Sequence, residues 1–192
     1  AQNMSGWEYG TNLNYLKSIS KYWISKYNWK KFENKINSFK NYKTKVEDIN
    51  LHFIFEKSKN PNSRPLLLLH GWPGSISEFL NIIPKLAHPE KFGGKIEDGF
   101  DVIVPSLPGF GFSSQINKAL GPRKIGKILN KFMIKNLGYK NYFVQGGDWG
   151  ATIAGWIGLD SSKYCKGIHI NCLPLRHPKG PKNSKEKKWE KK

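Results

Sequence analysis

Cysteine, arginine and long apolar runs are all scarce in this 192-residue chain, and each scarcity excludes something. The two cysteines, Cys165 and Cys172, stand seven apart with no third thiol to build a metal cage. Two reduced thiols and no metal site are therefore expected. Arginine occurs only at Arg64, Arg123 and Arg176, so the formal charge of +18 comes mainly from lysines scattered along the whole chain. Such a charge would suit nucleic acid or an anionic surface, but no basic binding motif accompanies it, and no nucleic-acid partner is expected. The densest lysine run, residues 179–192, reads as a solvated tail or an interrupted helix. The longest aliphatic run is LLLL at residues 66–69, far below the ~18 residues of a membrane-spanning helix. The start lacks a charged, then apolar, then small-residue leader. No membrane segment is expected within these residues, and a cytoplasmic location follows as the default.

What is present is periodic. Leu13, Leu16, Ile19, Tyr22, Trp23 and Tyr27 recur at spacings of three and four, which predicts an amphipathic helix over 11–27. A second helix is expected over 29–36. Residues 42–46 and 49–55 alternate polar and apolar side chains about Glu47-Asp48, the pattern of an antiparallel hairpin. A polar loop, residues 57–63, precedes the unbroken leucines of 66–69, which read as a strand buried on both faces of a parallel sheet. Further strands are predicted at 100–104, 142–145 and 167–170, with helices at 77–87 and 124–137. Strands alternating with helices in this way predict an α/β fold with a mainly parallel sheet.

Three glycine- and proline-rich segments follow predicted strands. The segment YFVQGGDWGATIAGW (142–156) places Gly146-Gly147-Asp148-Trp149-Gly150 at a strand-to-helix turn. It has the layout of the α/β-hydrolase nucleophile elbow, G-x-S-x-G, with Asp148 where serine usually stands. A glycine-flanked aspartate is equally suited to capping the following helix. The segment HGWPGS (70–75) follows the leucine strand, and Ser75 with Glu78 forms the S-x-x-E of a capping box. The third segment, PSLPGFGFS (105–113), presents Phe110 and Phe112, which either line an apolar pocket or pack the loop onto the sheet. In a parallel sheet these loops meet at one edge. The elbow supplies the main-chain N–H of Trp149 to a developing oxyanion, and the earlier loop a second, from Trp72. His70 precedes Asp148 in the chain, whereas the elbow architecture places its base last, so its expected role is to bond within its own loop.

Taken together, HGWPGS, VPSLPGFGFS (104–113), QGGDWGA (145–151) and GIHINC (167–172) resemble the epoxide hydrolases of the α/β-hydrolase fold, in the branch of the microsomal and juvenile-hormone enzymes. YWISKYNWKKFENKINSF (22–39) and INLHFIFEKS (49–58) resemble that branch's N-terminal region. The resemblance implies an epoxide hydrolase N-terminal region over 1–62, a partial α/β-hydrolase core over 63–177 and the start of a lid over 178–192. It implies a small-molecule epoxide as substrate and no cofactor. Asp148 would attack an epoxide carbon to form an alkyl-enzyme ester, which water then hydrolyses. A carboxylate suits this step because it is ionised at neutral pH and needs no base before displacement at saturated carbon. Trp72 and Trp149 would be the oxyanion donors, with the Trp72-Pro73 bond cis. Gly71, Pro73, Gly74, Gly146, Gly147 and Gly150 would shape the loops together with His70.

The pattern also departs from the family. An α/β-hydrolase with its lid ordinarily needs over about 250 residues, and the chain opens AQNMSGWEYG, as a fragment would. After Asp148 only His169 and His177 follow, and neither matches the family's catalytic histidine; Tyr164 precedes any lid. The general base and lid tyrosines are therefore expected to be absent. Two alternatives stand beside this reading: a haloalkane dehalogenase, in which the Trp149 indole would hold a halide, and a noncatalytic remnant of the fold.

Overall fold

The computed structural model describes residues 6–8, 10–172 and 180–190. The chain forms two compact units, Ala1–Ser38 and Phe39–Lys192. In the first, α1 (Leu13–Lys26) and α2 (Trp29–Asn37) match the predicted helices to within two residues. Asparagines start both, because a side-chain oxygen satisfies an orphan N–H of the first turn. Asn12 accepts from the Tyr15 N–H and Asn28 from the Lys31 N–H, each at 3.1 Å.

The second unit is built on a six-stranded sheet in the order β1-β2-β4-β3-β5-β6. The predicted hairpin forms as β1 (Asn41–Val46) and β2 (Ile49–Glu56), turning at Glu47, whose φ is 53°. It does not stand apart from the sheet. β2 pairs antiparallel with β4 (Phe100–Pro105), while β3 (Arg64–Leu69) runs parallel between β4 and β5 (Tyr142–Gly146), and β6 (Cys165–Ile170) closes the order. Leu67 and Leu69 face a core completed by Ile128, Leu129 and Phe132 of one helical segment and Ile153 and Ile157 of another. Leu68 alternates to the other face and is equally buried. Each leucine fully removed from water stabilises the fold by roughly 2 kcal/mol.

Two helices differ from the sequence reading. Residues 77–87 do not form one helix: a 3₁₀ turn over Ile76–Phe79 is followed by α3, Ile83–Ala87. Pro84 has no N–H to extend the first piece and starts the second instead. The helix expected over 124–137 begins earlier, as α4 (Pro122–Lys131), and ends in a π-turn over Phe132–Asn136. α5 (Trp149–Asp160) follows β5, and its Asp160 receives two 2.7 Å hydrogen bonds from Arg123 of α4. A further helix, α6 (Ser184–Glu190), lies in the lysine-rich segment. Cys165 and Cys172 are free thiols, one buried and one exposed. Among the described residues no helix is long and apolar enough to cross a membrane. The parallel strands β3, β4 and β5 deliver their carboxyl ends, and the three glycine-rich loops, to one edge.

Candidate active site

The turn between β5 and α5 has no spare volume. A Cβ on Gly150 would collide with the carbonyl oxygens of Leu69 and His70, and one on Gly146 with the carbonyl of Gly150. Glycine at these two positions lets the strand reverse into the helix against β3. Asp148, caught between them, has φ 50° and ψ −121°, a backbone state that non-glycine residues rarely adopt. It stands at the N-cap position of α5 without a side-chain cap hydrogen bond, so its carboxylate does not serve as the helix cap. Instead Asp148 Oδ1 accepts the main-chain N–H of Trp72 at 2.8 Å. The Trp72 and Trp149 main-chain N–H groups hold its carboxyl below the usual carboxylate range, against a small opposing effect of burial. The carboxylate is exposed at the sheet edge.

The loop after β3 is arranged around that contact. The Trp72-Pro73 peptide is cis. A Cβ on Gly71 would meet the Asp148 carboxylate. His70 is fully buried, its Nδ1 3.1 Å from the Gly71 carbonyl and its Nε2 accepting the Leu107 N–H at 3.0 Å. Nδ1 therefore carries the proton and donates to Gly71, and both nitrogens are engaged. Burial lowers its pKa, partly offset by the Gly71 bond. His70 thus ties its own loop and also fastens the loop after β4. The capping box does not form as read: Ser75 Oγ accepts from the Ser77 N–H at 3.2 Å rather than from that of Glu78. The 3₁₀ turn brings the nearer amide into reach.

Beside Asp148 opens a cavity of about 400 Å³, lined mostly by apolar side chains. Its lining includes the exposed Trp72 and Trp149, Leu107 and Phe110 of the loop after β4, and the buried Ile125 and Ile153 of α4 and α5. Phe110 lines the cavity and also packs edge-on against His70, with ring centroids 5.3 Å apart. Phe112 does not line this cavity. It turns the other way and packs on His52, ring centroids 5.0 Å apart. The positive φ of Gly111, 52°, rotates the chain between the two rings, and Gly109 just before them is also at positive φ, 84°.

His169 lies on β6 opposite Gln145, exposed. His177 falls outside the described residues. Among the described residues no histidine is hydrogen-bonded to Asp148 and no cluster of His, Cys, Asp or Glu could hold a metal ion. The sequence reading missed Ile125 and Ile153 as pocket floor. Both sit one turn inside helices that start at the sheet edge, and that position was the available signal.

Residues 1–79 match the family model for the epoxide hydrolase N terminus, and residues 64–190 that of the alpha/beta hydrolase fold. Epoxide hydrolase 1 of Oryctolagus cuniculus is 41% identical over 90% of this chain and 39% of its own length. Juvenile hormone epoxide hydrolase 1 of Ctenocephalides felis is 40% identical over 89% of this chain and 37% of its own. Among solved structures, the juvenile hormone epoxide hydrolase of Bombyx mori superposes with a TM-score of 0.80 at 35% identity, covering 93% of this chain and 42% of that one. The Aspergillus niger epoxide hydrolase gives 0.79 at 32% identity, covering 94% and 48%. The chain thus spans less than half the length of the relatives it matches. With an aspartate elbow on a mixed α/β sheet and an epoxide hydrolase N-terminal region ahead of it, the chain belongs to the α/β-hydrolase fold family and is a partial homologue of the microsomal and juvenile hormone epoxide hydrolases.

Proposed function

We propose that this segment carries the nucleophilic half of an epoxide hydrolase site. One observation carries the reading: Asp148, in a left-handed backbone state, is exposed beside an apolar cavity with one carboxylate oxygen already bound to the Trp72 N–H. A carboxylate oxygen of Asp148 attacks an epoxide carbon, the carbon–oxygen bond of the ring breaks, and the ring oxygen keeps the electron pair and takes up a proton from solvent water. An alkyl ester of Asp148 results. The depressed carboxyl pKa keeps Asp148 ionised at neutral pH, so the displacement needs no prior deprotonation.

The main-chain N–H groups serve the later step. When water attacks the ester carbonyl, the oxygen that becomes negative is the one Trp72 and Trp149 address, and fixed donors stabilise it without reorganising. That step also requires a general base. With both His70 nitrogens engaged and no histidine bonded to Asp148 among the described residues, the reading assigns ester formation, not turnover, to these residues.

Intact mass of the protein after incubation with styrene oxide tests this. The expected result is a stable adduct of one epoxide mass, absent in Asp148→Asn, whose labelling rate falls at least about 100-fold because an amide oxygen is a poor nucleophile. Equal labelling of the variant, or none of the parent, would overturn the assignment.

A further inference from the structure

Residues 106–114 give the cavity Leu107, Pro108 and Phe110 but form no helix or strand of their own. Gly109 and Gly111, both at positive φ, leave the loop little intrinsic preference for one shape. Main-chain turns, Phe110 N–H to Leu107, Ser113 N–H to Phe110 and Gly109 N–H to Ser114, fold it locally, and it is anchored from outside, with His70, on the site's own side, supplying one tie. The others converge on β2, a strand that contributes nothing to the cavity wall.

His52 of β2 is 4% exposed. Its main-chain N–H donates to Ser113 Oγ at 3.0 Å, and its carbonyl accepts the Ser106 N–H at 2.9 Å. Its Nδ1 lies 2.9 Å from Ser106 Oγ, and Ser113 Oγ donates onward to the Ser106 carbonyl at 2.7 Å. The ring's tautomer follows from its other neighbour. Asn41 Nδ2 donates to the Phe39 carbonyl at 2.8 Å, which leaves Asn41 Oδ1 to accept from His52 Nε2 at 3.0 Å. Nδ1 is then the acceptor and the Ser106 hydroxyl the donor. Burial, with the charge of Lys43 adding to it, pushes the His52 pKa down to about 4, which keeps the ring in this neutral form.

We propose that His52 is a positioning residue for the cavity: by holding Ser106 and Ser113 it closes the two ends of loop 106–114 on each other and sets the Leu107–Phe110 wall beside Asp148. A loop fixed at both ends on one buried residue, Ser106 Oγ by the His52 ring and Ser113 Oγ by the His52 main-chain N–H, has few alternative paths, so the wall stays in place when the cavity is empty. The clamp rests on the epoxide-opening reading for the identity of the occupant, and on geometry alone for its existence.

Amide hydrogen exchange and epoxide labelling of the full chain, compared across His52→Leu, His52→Asn and Ser106→Ala, test it. In His52→Leu, exchange over 106–114 should rise at least about tenfold while β3 and β5 keep their protection. The concentration of styrene oxide giving half-maximal labelling should rise about fivefold, with the limiting rate within about twofold, because Asp148 and its donors are untouched. His52→Asn offers an amide oxygen where Nδ1 stood and should restore most of the loop's protection. Should His52→Leu fail to fold, Ser106→Ala, which removes one hydroxyl, is judged by the same criteria with shifts of about threefold. Unchanged exchange in the loop, equal loosening of β3 and β5, or a fall in limiting rate at constant half-saturation would each overturn the proposal. If the parent chain takes no label, the alkylation reading has failed instead. Exchange together with the affinity of anilinonaphthalene sulfonate then decides the clamp: weaker binding in His52→Leu upholds it, equal binding and exchange reject it.

Discussion

The two walls of the cavity are made by opposite means. On one side the elbow is defined mainly by the main chain: glycines where a Cβ would strike a carbonyl, an aspartate at positive φ, and a 2.8 Å bond from a neighbouring N–H to its carboxylate. On the other side, loop 106–114 is irregular and is held by the side chains of His52, His70, Ser106 and Ser113 together with main-chain bonds to β2. A wall made of packed backbone has no graded response, because any added atom displaces a strand. A wall made of side-chain ties can loosen one bond at a time. Asp148 sits on the rigid side and the cavity-facing Phe110 on the adjustable one.

The sharpest way to break this contrast is Gly150→Ala. The new methyl meets the carbonyls of Leu69 and His70, and the expected cost is about 3 kcal/mol or more of stability, read from the urea midpoint, with loss of epoxide labelling. If Gly150→Ala is as stable as the parent, the rigid wall is not rigid. Next in size is the acid response of the adjustable wall. His52 has a folded pKa of about 4 against an ordinary value of 6.5, so the unfolded chain binds more protons between those limits. Stability is complete above about pH 6.5, falls as the pH drops towards 4, and levels off below; the loss is about 2 kcal/mol after allowing for screening. Lys43 faces His52 across the hairpin and works in the same direction, while Asn41, Ser106 and Phe112 carry no charge. Urea midpoints at pH 7 and pH 4.5 check this, and His52→Asn should flatten the difference.

Two smaller effects separate the faces of the same loop. Phe110→Ala should raise the half-saturating epoxide concentration about fivefold, equivalent to about 1 kcal/mol, without altering the limiting labelling rate. Phe112→Ala removes a ring that touches His52 but not the cavity. It should leave labelling unchanged and lower stability by about 0.5 kcal/mol. A reversal of these two results would mean that the loop presents its other face in solution.

The same contrast explains what could be read before the fold was known. The elbow and the HGWPGS loop were legible because glycine and proline at fixed offsets after an apolar run dictate backbone shape locally. Phe110 and Phe112 were indistinguishable, since the φ of Gly111 between them decides which ring faces the cavity. His52 was invisible as a participant: its bond to Ser106 joins residues 54 apart and exists only once β2 pairs with β4. The helix expected over 77–87 failed at Pro84, where apolar periodicity was followed across a residue that interrupts it. The hairpin's strands were recognised, but their entry into the main sheet depended on an antiparallel pairing that local pattern does not encode.

The strand order has a kinetic consequence. β1, β2, β4 and β3 are adjacent in the sheet and are all encoded before residue 106, so they can assemble as a contiguous half-sheet while the rest of the chain is still being made. Loop 106–114 can settle on His52 and His70 as soon as it emerges. β5 then docks on the open edge of β3, carrying Asp148 with it. On that order the loop wall is in place before Asp148 arrives, and the Asp148 carboxylate meets the Trp72 N–H in the same event that completes the cavity.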